Sequence, residues 1–84
     1  MVCYVYILYS EQHDMYYVGA TNDLEDRLRR HNSGIENHTS KYRPWKMLWF
    51  TEKPNKSEAF QLEKKLKNLS KVRKQKFIEK YSTE

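Results

Sequence analysis

Glycine and proline are scarce in this chain of 84 residues, two of each, and cysteine occurs once. Few glycines and prolines leave few places for tight turns, so most of the chain must sit in regular elements. The lone Cys3 excludes an intrachain disulfide, and its apolar surroundings make a buried thiol its expected state. No Cys/His cluster has zinc spacing: His13, His31 and His38 are scattered and have no cysteine partners. A long hydrophobic run is missing too. The first apolar stretch ends at Ser10, and Met1-Val2-Cys3-Tyr4 has no basic leader, which excludes a signal peptide or membrane span there. Nor is there a long basic amphipathic helix with a clean apolar face, so no membrane partner is expected. Cytoplasm is the expected compartment.

What is present is basic and rich in tyrosine. Lys plus Arg number 16 against 11 Asp plus Glu, a net charge of +5, and tyrosine occurs 7 times. Such a surplus suits a polyanionic partner, although a solvated surface also accounts for it. The length fits one domain over residues 1–84 with one modest core.

Residues 3–9 are dominated by β-branched and aromatic side chains and predict a strand; residues 15–20 predict a second, with a turn between, so an antiparallel hairpin is expected. Asn22 with Glu25 has capping-box spacing ahead of a helix over 23–32, which Gly34 closes. Residues 35–43 are polar and basic and read as a loop. A third strand is expected over 45–51. Asn55 with Glu58 repeats the capping spacing, and Ala59, Leu62, Leu66 and Leu69 form a helical apolar stripe. Ser70 breaks or re-caps it before a basic final helix. The expectation is an α+β fold, a small three-stranded antiparallel sheet flanked by helices in the order ββαβαα.

Several side chains in this frame can carry chemistry. If Tyr6 pairs opposite Tyr17, or the register slips by two, the two phenols share a sheet face; a slip by one separates them. Sheet packing alone would also account for both. Gly19 sits inside the second strand, where a glycine often marks a bulge or a close approach. Helical periodicity sets Arg27 beside the stripe of Leu24, Leu28 and His31, at the border of the sheet, where a guanidinium needs an anion. Glu63 edges the leucine stripe on the arc between Ala59 and Phe60. Two accounts stand: an Arg27–Glu63 structural ion pair, or a site in which Glu63 holds a divalent cation and Arg27 a phosphate.

Tyr4-Val5-Tyr6, followed after ten residues by Tyr17-Val18-Gly19, resembles the two tripeptides that name the GIY-YIG nucleases. Arg27 falls where that family carries an arginine on the first helix, His31 matches a histidine found one turn later in some members, and Glu63 fits the single glutamate of a later helix. The His-Asn-Ser-Gly and Thr-Ser-Lys-Tyr-Arg-Pro-Trp-Lys segments look like those of small bacterial single-domain members. The resemblance covers Cys3 to about Lys76. It implies a DNA endonuclease of low sequence specificity, structure-directed or not, in repair or recombination, that uses Mg²⁺ or Mn²⁺. Glu63 would be the only protein ligand of the metal. Arg27 would stabilise the transition state, and Tyr17, with Tyr6 or His31, would position or deprotonate the attacking water. The first glycine of the family pattern is Tyr4 here, and the lysine that follows the second tripeptide in repair-incision relatives is Ala20.

DNA is the expected partner, with Lys41, Tyr42, Arg43 and Lys46 as candidate contacts and the lysines of the last two helices as further phosphate trackers. The protein itself is expected to be a monomer or weak dimer. The alternatives are a non-catalytic nucleic-acid-binding module on the same fold, and a protein-interaction domain that uses the strand bearing Trp45 and Trp49.

Overall fold

The computed structural model describes residues 2–34 and 37–81. Its elements are β1 (Cys3–Ser10), β2 (Met15–Thr21), α1 (Leu24–Ser33), α2 (Asn37–Ser40), β3 (Lys46–Lys53), α3 (Lys56–Lys67) and α4 (Lys71–Tyr81). The three strands form one antiparallel sheet in the order β2-β1-β3. This is the expected α+β arrangement, ββαβαα, with one short addition. Residues 37–40, within the stretch expected as a loop, make the single turn α2; Ile35 and Glu36 lie outside the described residues. The turn is held by tertiary contacts through buried Thr39, which the polar sequence of that stretch does not advertise.

β1 is apolar on both alternating sets because it is the central strand and both its faces are covered. Cys3, Val5 and Ile7 join Val18, Ala59 and Leu66 in one cluster, with Leu62 of α3, Leu69 of the link that follows it, and Phe77 and Ile78 of α4 packed around it. Tyr6 and Leu8 point the other way and pack with Trp45, Tyr17, Leu24 and Leu28, the last two from α1. The sheet thus separates two small cores, and α1 lies on the face opposite α3 and α4. β3 carries a bulge: Ile7 pairs with Trp49 but Leu8 pairs with Met47, leaving Leu48 as the extra residue.

The helix starts follow capping chemistry. α1 begins one residue later than the Asn22 reading implied: Asp23 is the cap, and its carboxylate accepts from the Asp26 N–H at 3.0 Å. Thr21 Oγ1 accepts from Asp23 N–H at 3.1 Å and fixes that choice. Gly34 closes α1 with φ 88°, a left-handed cap that glycine adopts without strain. Asn55 caps α3 as expected, accepting from Glu58 N–H at 2.9 Å. Ser70 starts a new helix: its Oγ accepts from Arg73 N–H at 3.2 Å and its carbonyl from Lys74 N–H at 2.9 Å.

The hairpin turn is tied to α4. Asp14, with φ 51°, accepts from the Tyr9 hydroxyl at 2.7 Å and pairs with Lys71 at the start of α4. The Lys71 ammonium, with help from the Tyr9 hydroxyl, holds the Asp14 carboxyl below its ordinary value of 3.8. The bond to Asp14 pushes the Tyr9 phenol up to about 12. A depressed carboxylate stabilises the fold above its unfolded pKa, and that contribution is lost as pH falls through the folded value. Asp14→Asn keeps the left-handed turn, which Asn tolerates. Its melting temperature should lie slightly below wild type at pH 7, and the gap should close as the buffer is taken below pH 3.8. A gap that stays constant down to acid pH would show that the carboxylate charge is not what ties turn to helix.

Candidate active site

Tyr6 lies opposite Gly19 in the ladder and Tyr17 opposite Leu8, so the register is slipped by two and both phenols lie on the α1 face. The close approach that Gly19 signals is made by Tyr6 itself. A Cβ at position 19 would sit 2.5 Å from Tyr6 Oη and 3.2 Å from Tyr17 Cε2. The absent side chain leaves room for the Tyr6 ring to cross β2 towards α1.

There Tyr6 meets His31. Tyr6 Oη and His31 Nε2 are hydrogen-bonded at 3.2 Å, and His31 Nδ1 is bonded to Thr39 Oγ1 at 2.7 Å. Both partners are hydroxyls that can donate or accept, so either neutral tautomer of the imidazole is satisfied. Tyr6 and His31 are 1% and 2% exposed, so solvent does not reach either directly. Tyr17 is half-buried, and its ring centre lies 4.8 Å from that of His31. Sequence reasoning missed the frame around this cluster. The Asn32 side chain clasps the Trp45 backbone, accepting from its N–H at 2.6 Å and donating to its carbonyl at 3.0 Å. Trp45 Nε1 donates to the Thr39 carbonyl at 2.9 Å, which sets Thr39 against His31. The Pro-Trp and His-Asn pairs were visible as motifs, but not their mutual clasp.

Arg27 and Glu63 line one cleft at one end of the sheet. There the start of β1, the end of β2, α1 and the first turns of α3 enclose an open cleft of about 930 Å³. Arg27, Thr21, Asn22, Ser57, Phe60 and Glu63 are among its lining residues. Arg27 Nε is buried and has no hydrogen-bond partner among the described residues. Among the described residues no carboxylate pairs with it; Glu63 instead pairs with Lys67 at 2.9 Å on its own helix. The Arg27–Glu63 ion pair that the sequence left open is therefore not formed, although the two side chains share the cleft. The Glu63 carboxylate is mostly shielded, at 18% exposure, while Lys67 is 52% exposed and free to swing out.

The candidate DNA contacts sit elsewhere. Lys46 pairs across from Tyr9 and Lys53 across from Cys3. The basic segment therefore enters the sheet at the hairpin end, roughly 20 Å from the cleft at about 3.3 Å per strand residue. Lys41 and Arg43 are exposed, Tyr42 stacks edge-on against His13, and Lys46 pairs with Glu11 at 3.5 Å. The Arg43 guanidinium lies over Gly34, beside the carbonyl end of α1. Of the last two helices, Lys67, Lys71 and Lys74 have internal partners, the last donating to the Leu69 carbonyl at 2.7 Å. Trp45 is buried and Trp49 packs edge-on against Phe77, so neither offers the open partner surface that was one reading of β3.

Comparison with known proteins agrees with the fold. The model of the GIY-YIG catalytic domain matches residues 2–77. The chain belongs to the GIY-YIG family. It is 40% identical to a UPF0213 protein of Oceanobacillus iheyensis over 90% of this chain and 88% of the relative. A UPF0213 protein of Clostridium perfringens is 37% identical over 89% and 81%. The solution NMR structure of a UPF0213 protein from Bacillus halodurans superposes with a TM-score of 0.63 at 30% identity, over 96% of this chain and 86% of that one. Within this GIY-YIG domain the two departures from the family pattern lie in different places. Tyr4 packs edge-on against Phe50 at 6.3 Å on β3, and Ala20 lines the cleft. Among the described residues no helix is long and apolar enough to cross a membrane.

Proposed function

We propose that this protein is a metal-dependent endonuclease that hydrolyses phosphodiester bonds in DNA at the Arg27–Glu63 cleft. The observation that carries the reading is Arg27: it lines a cleft that it shares with the mostly shielded Glu63 side chain, and among the described residues its buried Nε has no hydrogen-bond partner. A buried N–H is normally satisfied, and one that is not calls for an explanation such as a ligand. A phosphate oxygen supplies both the acceptor and the countercharge.

The donor set fits a hard cation. Among the described residues no cluster of three His, Cys, Asp or Glu exists to cage a metal. One carboxylate with side-chain amide and hydroxyl oxygens nearby suits Mg²⁺ or Mn²⁺, which keep several waters. Lys67 already holds positive charge against Glu63 and, being exposed, can give way to it. When bound, such a cation polarises the phosphate and stabilises the leaving oxygen. Arg27 binds a non-bridging oxygen and neutralises the charge that builds up as water attacks. Tyr17, the less buried phenol, is not among the residues lining the cleft. Its ring leans along β2 to position 19, one residue from Ala20 of the lining, and from that side it would hold the attacking water. Tyr6 and His31 are positioning residues: they fix the Tyr17 ring from behind, with Thr39 orienting the imidazole. The reading keeps the expectation of low sequence specificity.

Supercoiled plasmid incubated with Mg²⁺ or Mn²⁺ should be relaxed by the wild type and left intact in EDTA. Glu63→Gln keeps the shape of the side chain and removes its charge, and should cut at least about 100-fold more slowly. Cutting by Glu63→Gln at the wild-type rate would refute the site. Metal-independent binding without cutting would point to a nucleic-acid-binding module instead.

A further inference from the structure

α3 turns Ala59 and Leu66 fully into the core and Leu62 partly, yet Phe60 is left 62% exposed. A ring in that position contributes little to the fold. It does line the same cleft as Arg27 and Glu63, one turn before Glu63 on the helix. Exposed Val2 lines the cleft as well. The cleft therefore joins a cation whose buried Nε has no partner among the described residues to an apolar aromatic rim, which matches the two halves of a nucleotide. Its size, about 930 Å³, is within the range of sites that enclose one small ligand. A base in an intact duplex shows only its edges in the grooves, because its faces are covered by its neighbours. A phenyl face can therefore engage only a base that has left the stack.

We propose that Phe60 is a stacking platform for an unpaired base beside the phosphate held at Arg27, so that the cleft takes single-stranded or frayed DNA in preference to intact duplex. This rests on the cleft being the phosphodiester site, but not on cleavage taking place there.

Binding is therefore measured in EDTA, by fluorescence anisotropy, with a labelled single-stranded oligonucleotide and its duplex. A second single strand carries 2-aminopurine, whose emission is quenched by stacking. Wild type should bind the single strand more tightly than the duplex and quench the 2-aminopurine. Phe60→Ala should weaken single-strand binding by about tenfold, lose the quenching and leave duplex affinity within about twofold. Phe60→Trp should retain both. Phe50→Ala removes a ring that is 54% exposed on β3 and outside the cleft, and should behave as wild type. The proposal is overturned if wild type shows no preference for the single strand. It is equally overturned if Phe60→Ala binds the single strand as wild type does, or if Phe50→Ala loses as much. Plasmid cleavage under Mg²⁺ is scored separately. Phe60-dependent binding without cleavage would sink the nuclease reading and leave the stacking site standing.

Discussion

Arg27→Met should stop DNA cleavage and at the same time raise the melting temperature. Both effects have one cause. Arg27 Nε is buried without a partner among the described residues, and leaving a buried donor unsatisfied costs about 1–3 kcal/mol. Methionine keeps a long unbranched stem and has a similar helix propensity, so α1 loses little packing while the unsatisfied donor disappears. A gain of about 1 kcal/mol corresponds to roughly 4–8 °C in a domain of this size. Cleavage should fall by about 100- to 1,000-fold, the scale seen when one transition-state donor is removed. Thermal denaturation followed by circular dichroism, beside the plasmid assay, checks both. A variant that is less stable by 1 kcal/mol or more would mean that the guanidinium is structural, and the assignment of Arg27 to phosphate would go with it.

Gly19→Ala should be among the most damaging small substitutions in the chain. The added Cβ would lie 2.5 Å from Tyr6 Oη and 2.6 Å from Tyr6 Cζ. The end of a long side chain can often move aside, but Tyr6 is 1% exposed and bonded to His31, so it has nowhere to go without opening the α1 face. Overpacking of this kind costs about 1–3 kcal/mol, which lowers the melting temperature by the order of 10 °C. Because the His31 contact is disturbed as well, cleavage should fall by more than the loss of folded protein explains. The double variant separates the causes. In a Tyr6→Leu background the clash is gone, so Gly19→Ala should cost much less than in wild type, with a coupling of about 1 kcal/mol or more. Equal costs in both backgrounds would show that position 19 matters for some reason other than Tyr6.

The two variants illustrate how far the sequence reached. Gly19 was legible as a place of close approach because a glycine inside a strand needs a reason. That the approaching group is Tyr6 depended on a register slipped by two, which alternation along a single strand does not fix: slips of zero and two put the same side chains on the same face. Arg27 and Glu63 were legible as border residues because helical periodicity depends on spacing alone. Whether they pair with each other was not. The pairing depends on how α1 and α3 meet around the sheet end, and there Glu63 finds Lys67 on its own helix while the Arg27 Nε stays unsatisfied.

Local rules likewise located the starts of α3 and α4, since Asn55 and Ser70 need only the next three residues to cap. They placed the first start one residue early, because the choice between Asn22 and Asp23 rests on the Thr21 hydroxyl at the end of β2. The basic segment Lys41–Lys46 shows the same limit on a larger scale. Its composition pointed to DNA, but the strand order β2-β1-β3 delivers it to the hairpin end, away from the cleft. By itself the sequence determined every element but the single turn α2, their buried faces and the side chains able to carry phosphate chemistry, since these follow from periodicity and from contacts a few residues apart. Only the tertiary structure decided the partners, because His31 with Tyr6, Asn32 with Trp45 and Arg27 beside Glu63 are all brought together across long stretches of chain by the order in which three strands pair.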